Sequence, residues 1–238
     1  MKSVFSSFLL VICVFSCGQS RIVGNGNMGT ITRNISPDFQ GIQSNGSFDV
    51  EIYDGNQDGK ITIQGETNII EHIKTEVKNG ILIIKFEENK SYTTRKDIKV
   101  KLNSNQLSSI QLFGSGDIET KGIQTVDKFT ASVNGSGDIE AKVNANQVNL
   151  EISGSGDIEI SGKAKNLEIN TRGSGDVEAF KLITENVNIQ KSGSGDSEVN
   201  CSQILKINSK GSGDVYYKGN PTSIEKNSTG SGKVYKKN

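Results

Sequence analysis

The sequence predicts an all-β chain: a right-handed parallel β-helix, a solenoid of ~19-residue coils, with an irregular β-rich N-terminal cap. Three observations lead there. First, Gly-Ser-Gly-Asp begins at Gly114, Gly135, Gly154, Gly173, Gly193 and Gly211, and Gly-Ser-Gly-Lys at Gly230. The steps of 18 to 21 residues are too short for βαβ units, which need about 30 residues or more. Second, apolar residues alternate with polar ones on both sides of each corner. Four residues before it stand Ile110, Ala131, Leu150, Ile169, Ile189 and Ile207; four after stand Ile118, Ile139, Ile158, Val177 and Val215. Period two is the mark of a half-buried strand. Third, the 238 residues hold 27 Gly but only two Pro and no Trp. Collagen needs Gly at every third position with abundant Pro, so this glycine belongs to corners.

The N-terminus reads as an address. Lys2 precedes an apolar run from Val4 to Phe15, long enough for a signal-peptide core and too short for a permanent span. Val14-Phe15-Ser16-Cys17 resembles the bacterial lipobox. The resemblance implies cleavage before Cys17, its lipidation, and membrane attachment through several acyl chains. An ordinary secretory signal with a coincidental cysteine is the plainer alternative. The domain reading is then 1–16 lipoprotein signal peptide, 17–28 lipid-anchored tether, 29–110 β-rich N-terminal part, and 111–238 seven-copy repeat. The implied location is the bacterial cell envelope at the outer membrane, facing side undecided. Cys201 is the other mature cysteine and reads as a small buried residue. Equal numbers of basic and acidic residues, 27 each, argue against nucleic acid as a partner.

Between 29 and 110 the pattern is β-rich but irregular. Phe48–Tyr53, Lys60–Gln64, Ile73–Lys78, Ile81–Phe86 and Asp97–Leu102 alternate. Asn79-Gly80 signals a type I′ hairpin, and Thr67–His72 a single helical turn. This block is expected to cover the edge of the first coil.

In the repeat, the corner glycines can take φ > 0 and carry no Cβ to strike the next coil. Equivalent strands pair in parallel at ~4.8 Å. Lys191, Ser197, Ser209, Lys226 and Ser228 interrupt the apolar columns, so the core thins towards a polar end. The final Lys-Val-Tyr-Lys-Lys-Asn supplies charge to the open edge.

Gly24-Asn25-Gly26-Asn27, Phe48-Asp-Val-Glu-Ile, the hairpin around Asn79-Gly80 and the Gly-Ser-Gly-Asp-Ile-Glu repeats together resemble the bacterial head GIN domain, often labelled an autotransporter adhesin. The resemblance covers roughly Asn25 to Tyr235. It implies a β-solenoid envelope protein of Bacteroidetes-type bacteria, often lipoprotein-anchored, and supplies no catalytic residues. Ser197 departs from the Ile or Val of other copies.

The strongest chemical feature is an acidic ladder. Asp117, Asp138, Asp157, Asp176, Asp196 and Asp214 form one column; Glu119, Glu140, Glu159, Glu178 and Glu198 stand two residues on, facing outward. Three readings stay open: each Asp accepts backbone or Ser hydrogen bonds at its corner, a cation such as Ca²⁺ lies between rungs, or a basic partner docks. His72 is the single histidine, so a nucleophile–His–acid site would have to use it, and no nucleophile motif stands beside it; one His and one free Cys cannot supply the three or four ligands of zinc. No metal ligand set, cofactor motif or catalytic residue is assigned. The expected role is a non-catalytic, rigid binding or adhesion module for an unknown protein or glycan, its oligomeric state open. Contacts are expected from strand faces and from loops at Lys121–Val126 and Lys142–Asn146. The alternatives are a polysaccharide-active lyase or glycosidase, and a periplasm-facing scaffold.

Overall fold

The computed structural model describes residues 20–238; the signal-like segment and Cys17 lie outside the described residues. Strands β1 (Ser20–Val23), β2 (Met28–Asn34), β3 (Gly41–Gly46), β4 (Asp49–Tyr53) and β5 (Lys60–Glu66) lead to a one-turn helix α1 (Thr67–Ile70). Then come β6 (Ile73–Lys78), β7 (Ile81–Phe86), β8 (Lys90–Thr93) and β9 (Lys99–Asn103). The regular coils follow as β10 (Ser109–Gly114), β11 (Ile118–Thr125), β12 (Lys128–Gly135), β13 (Ile139–Gly154), β14 (Ile158–Gly173), β15 (Val177–Gly193) and β16 (Ser197–Gly211). The chain ends in β17 (Val215–Lys218), β18 (Ser223–Gly230) and β19 (Val234–Lys236).

The coils stack in parallel. β13 and β14 pair in step from Ile139↔Ile158 to Gly154↔Gly173, so every inward residue lies under its counterpart. Ile110, Ala131, Leu150, Ile169, Ile189 and Ile207 are buried, as are Ile118, Ile139, Ile158, Val177 and Val215. Each Ile, Leu or Val side chain among them, removed from water, contributes roughly 1.5–3 kcal/mol. The segments expected as loops at Lys121–Val126 and Lys142–Asn146 run almost wholly as strand within β11 and β13. Differences in coil length are absorbed there by register shifts, at Glu119/Ile123, Glu159/Gly162 and Ala179/Ile183. Ile123 and Ile183 stand exposed beside these shifts, while the glycine corners stay in register.

The N-terminal block is more than a cap. β3 pairs in parallel with β7 on one side and β10 on the other; β4 does the same with β9 and β11. Residues 41–53 are therefore a coil, stacked between 81–103 and 109–125. Its corner, Gly46-Ser47-Phe48-Asp49, is an additional copy of the repeat, with Gly46 in register with Gly114. Phe48 stands where the later copies have their second glycine, and its ring packs edge-on against Phe86, centroids 5.5 Å apart. The true covering elements are antiparallel: β5 on β2 and β9, and β6 on β7. They close the parallel edges that would otherwise invite another strand. Asn79 and Gly80 both have positive φ, 52° and 73°, as the type I′ turn requires. The tether is tied down, since β1 pairs with β8. The fully buried Glu66 carboxylate accepts the N–H of Gly26 at 2.6 Å and of Arg95 at 2.7 Å. Those N–H groups hold its pKa below the usual range.

At the far end β18 is exposed along its whole length. Inside the last full coils Lys191 occupies an inward position in register with Thr171 and is 4 % exposed. Its ammonium donates to the carbonyls of Gly195 and Asp214, and burial pushes its pKa down. Lys191→Ile should leave stability unchanged or raise it by about 1 kcal/mol, because an aliphatic replacement spares the desolvation of a charge. Urea denaturation at neutral pH checks this; a loss above ~1 kcal/mol would mean that the ammonium's carbonyl bonds outweigh its burial cost.

Candidate functional site

The acidic ladder lies immediately after the corners, and its geometry explains the aspartates. Asp138 N–H donates to Asp117 Oδ1 at 2.9 Å, Asp157 to Asp138 at 2.8 Å, and Asp176 to Asp157 at 2.7 Å. Asp196 N–H reaches Asp176 at 2.6 Å and Asp214 N–H reaches Asp196 at 2.7 Å. Each carboxylate thus accepts the backbone N–H of the next coil, not a group at its own corner. The column begins one copy earlier than the repeat search found, because Asp117 N–H points at Asp49 Oδ1, 3.3 Å away. It ends where Lys233 N–H donates to Asp214 at 2.8 Å. At that corner lysine stands where the earlier copies have aspartate. Burial raises the pKa of Asp157, and the carboxylates of Asp138 and Asp176 add to the rise.

Glu119, Glu140, Glu159, Glu178 and Glu198 stack in register beside this column. Glu51 extends it backwards to Lys101, and Tyr216 and Tyr235, stacked at 5.4 Å, extend it forwards. Lysines neutralise part of it: Lys121 pairs with Glu119 and Lys181 with Glu159. Glu51 is pulled down to about 2, first by the Tyr53 hydroxyl at 2.7 Å and then by Lys99 at 3.0 Å. Around Asp117, Asp138 and Asp157 the two columns line a shallow acidic groove of about 300 Å³. Among the described residues, no group of three or more His, Cys, Asp or Glu side chains is placed to hold a metal ion.

Two further sequence candidates find structural places. His72 Nδ1 lies 3.0 Å from Glu87, which also pairs with Lys74 and Lys90. Cys201 is buried, and its thiol points at the carbonyls of Glu185 and Ile204. Lys74, Lys90 and His72 hold Glu87 at about 2. A carboxylate whose folded pKa is depressed contributes stability that is complete above its unfolded pKa and disappears as pH falls through the folded value. The Glu87 contribution should therefore vanish between pH 4.5 and about 2. Glu87→Gln is expected to flatten the fall of the urea midpoint across that window. An unchanged slope would show that the cluster contributes nothing.

The opposite face escaped the sequence reading. It carries columns of Asn, Gln, Ser and Thr, with Arg172 and Lys210, along a groove of about 710 Å³.

The family described as "Putative auto-transporter adhesin, head GIN domain" matches residues 38–221. The chain belongs to it. Several proteins of known structure share the solenoid. A crystal structure of a "putative adhesin" from Bacteroides fragilis has 23 % identity and a TM-score of 0.85, covering 91 % of this chain and all of that one. A "putative lipid binding protein" from Parabacteroides distasonis has 28 % identity and a TM-score of 0.75, covering 92 % of this chain and all of that one. A "putative adhesin" from Parabacteroides merdae, at 20 % identity and a TM-score of 0.70 over 92 % of this chain and all of that one, shares the fold. No curated protein matches this head GIN chain.

Proposed function

We propose that this head GIN chain is a lipid-anchored, non-catalytic binding module of the bacterial cell envelope, presenting the outer faces of a rigid solenoid to a macromolecular ligand. The observation that carries the reading is the in-step register of β13 on β14 and its neighbours. It fixes columns of polar side chains at one-coil spacing, ~4.8 Å, with no flexible element needed to form a contact surface. The descriptions of the relatives as adhesins agree with it. Attachment rests on Val14-Phe15-Ser16-Cys17. One relative of known structure is described as a "putative lipid binding protein". Here the inward columns are filled by side chains from Ile42 to Val215, which favours the outer faces.

Protease treatment of intact cells tests the reading. Digestion before the outer membrane is opened is expected. Survival until it is opened would overturn adhesion to an external partner and favour a periplasm-facing scaffold. Release of reducing or unsaturated ends from mixed polysaccharides would overturn the non-catalytic assignment.

A further inference from the structure

We propose that the face built by β12, the second halves of β13 to β16, and β18 binds an acidic glycan lying along the solenoid axis. This rests on the binding-module reading above and names its face and ligand class. Asn170, Gln190, Asn208 and Asn227 form one column of the groove, in register rung by rung. A carboxamide offers two donors and an acceptor with two lone pairs, a set that matches vicinal hydroxyls. Farther out on this face amides bond one another, Asn186 to Asn166 at 3.0 Å and Gln147 to Asn149 at 2.8 Å. Among the described residues, the four groove carboxamides make no such bond, so their hydrogen-bonding capacity is free for a ligand. The aspartate column, by contrast, spends one oxygen of each carboxylate on the next coil.

Charge selects the glycan. Arg172 and Lys210 stand exposed in the adjacent column with Ser192 between them in register. Glu151 is the one carboxylate lining the groove, while the acidic ladder lies after the corner. The two cations are two coil steps apart, ~9.6 Å. An extended pyranose chain advances roughly one ring per coil step, and alternate rings of a β-linked chain face the same way. A carboxylate on every second ring would then meet Arg172 and Lys210 in turn. Phe113 of β10, 38 % exposed, continues this column beyond β12, in register with Asn134 on one side and Asn45 on the other, and its ring can cover the C–H face of a sugar. A peptide adding as a strand would need an open edge, whereas this groove lies on a sheet face.

Affinity electrophoresis of the chain through gels containing mannuronate-rich alginate, a β-linked acidic polymer, or neutral dextran is the test. Retardation by an acidic polymer but not by dextran is expected. Arg172→Gln with Lys210→Gln should weaken it about tenfold or more, as loss of charge-assisted hydrogen bonds does. Asn170→Ala with Asn208→Ala should weaken it at unchanged charge, while Glu140→Gln with Glu178→Gln on the acidic face should not. No retardation, or retardation that survives either groove pair, would overturn the assignment. Dependence on the cations alone would mark simple ion exchange and overturn it equally. If the chain binds no acidic glycan yet is digested on intact cells, the glycan assignment falls and the binding-module reading stands. Protection from protease brings down adhesion to an external partner, whatever the gels show.

Discussion

Replacing Gly154 by Ala should cost the chain about 3 kcal/mol or more, by adding backbone strain of ~1–3 kcal/mol to overpacking of ~1–3 kcal/mol. Its φ of +143° is a region L side chains rarely adopt, and a Cβ there would lie 2.2 Å from the carbonyl oxygen of Gly135. That oxygen belongs to the backbone of the coil below, which cannot retreat without stretching the ladder. Two companion variants separate the effects. Gly156→Ala meets the Gly137 oxygen at 2.1 Å without a positive φ, so only the collision acts, and a loss of about 2 kcal/mol is expected. Gly80→Ala, with φ of +73° and nothing within 4 Å, isolates the conformational cost of ~1–2 kcal/mol. Urea denaturation should rank them 154, 156, 80. If Gly80→Ala costs as much as Gly154→Ala, coil contact is not what selects the glycines. A Gly154→Ala protein within 1 kcal/mol of the parent would contradict the stacking distance itself.

The same contact decides how much could be read without coordinates. Where every corner carries two glycines, the repeat is visible, and the apolar columns follow from period two alone. At Gly46-Ser47-Phe48-Asp49 the second glycine is missing, and 68 residues separate Asp49 from its neighbour Asp117, so the copy escaped. Alternation tells which way a side chain points and nothing about which strand lies beside it. The placing of 41–53 between 81–103 and 109–125 was therefore invisible, although alternation marks Phe48–Tyr53, Ile81–Phe86 and Asp97–Leu102 as strands; Gly41–Gly46 and Lys90–Thr93 carry no such mark. Lys142–Asn146 was misread for a related reason. Its Asn and Ala residues have weak strand preference, yet the pairing of Lys142 through Ala145 with Ser161 through Ala164 overrides it. For the ladder, the columns were legible and the hydrogen bonds were not, because their donors come from another coil. The last corner, Gly-Ser-Gly-Lys, keeps only the donor half of that pairing, the Lys233 N–H to Asp214.

That account predicts an ordering at Asp157, whose two roles oppose each other. Its Oδ1 accepts Asp176 N–H at 2.7 Å in a half-buried corner. Asp157→Ala leaves that donor without a partner and should cost about 1–2 kcal/mol. Asp157→Asn keeps an acceptor in the same place and removes the charge. The Asp157 pKa is raised by burial and by Asp138 and Asp176, so its ionised form is less favourable in the folded chain than in the unfolded one. By linkage its share of stability is present below the unfolded pKa of 3.8 and lost as pH rises through the raised folded value. This is opposite in sign to the Glu87 cluster. At neutral pH the expected order is Asn at or above Asp, with Ala lowest, and added salt should narrow the gap between Asn and Asp by screening the ladder. Equal losses for Asn and Ala would mean that the negative charge itself is required. A bound cation would then account for the column better than the inter-coil hydrogen bond, and addition of millimolar calcium should raise the midpoint of the parent chain and not of the Asn variant.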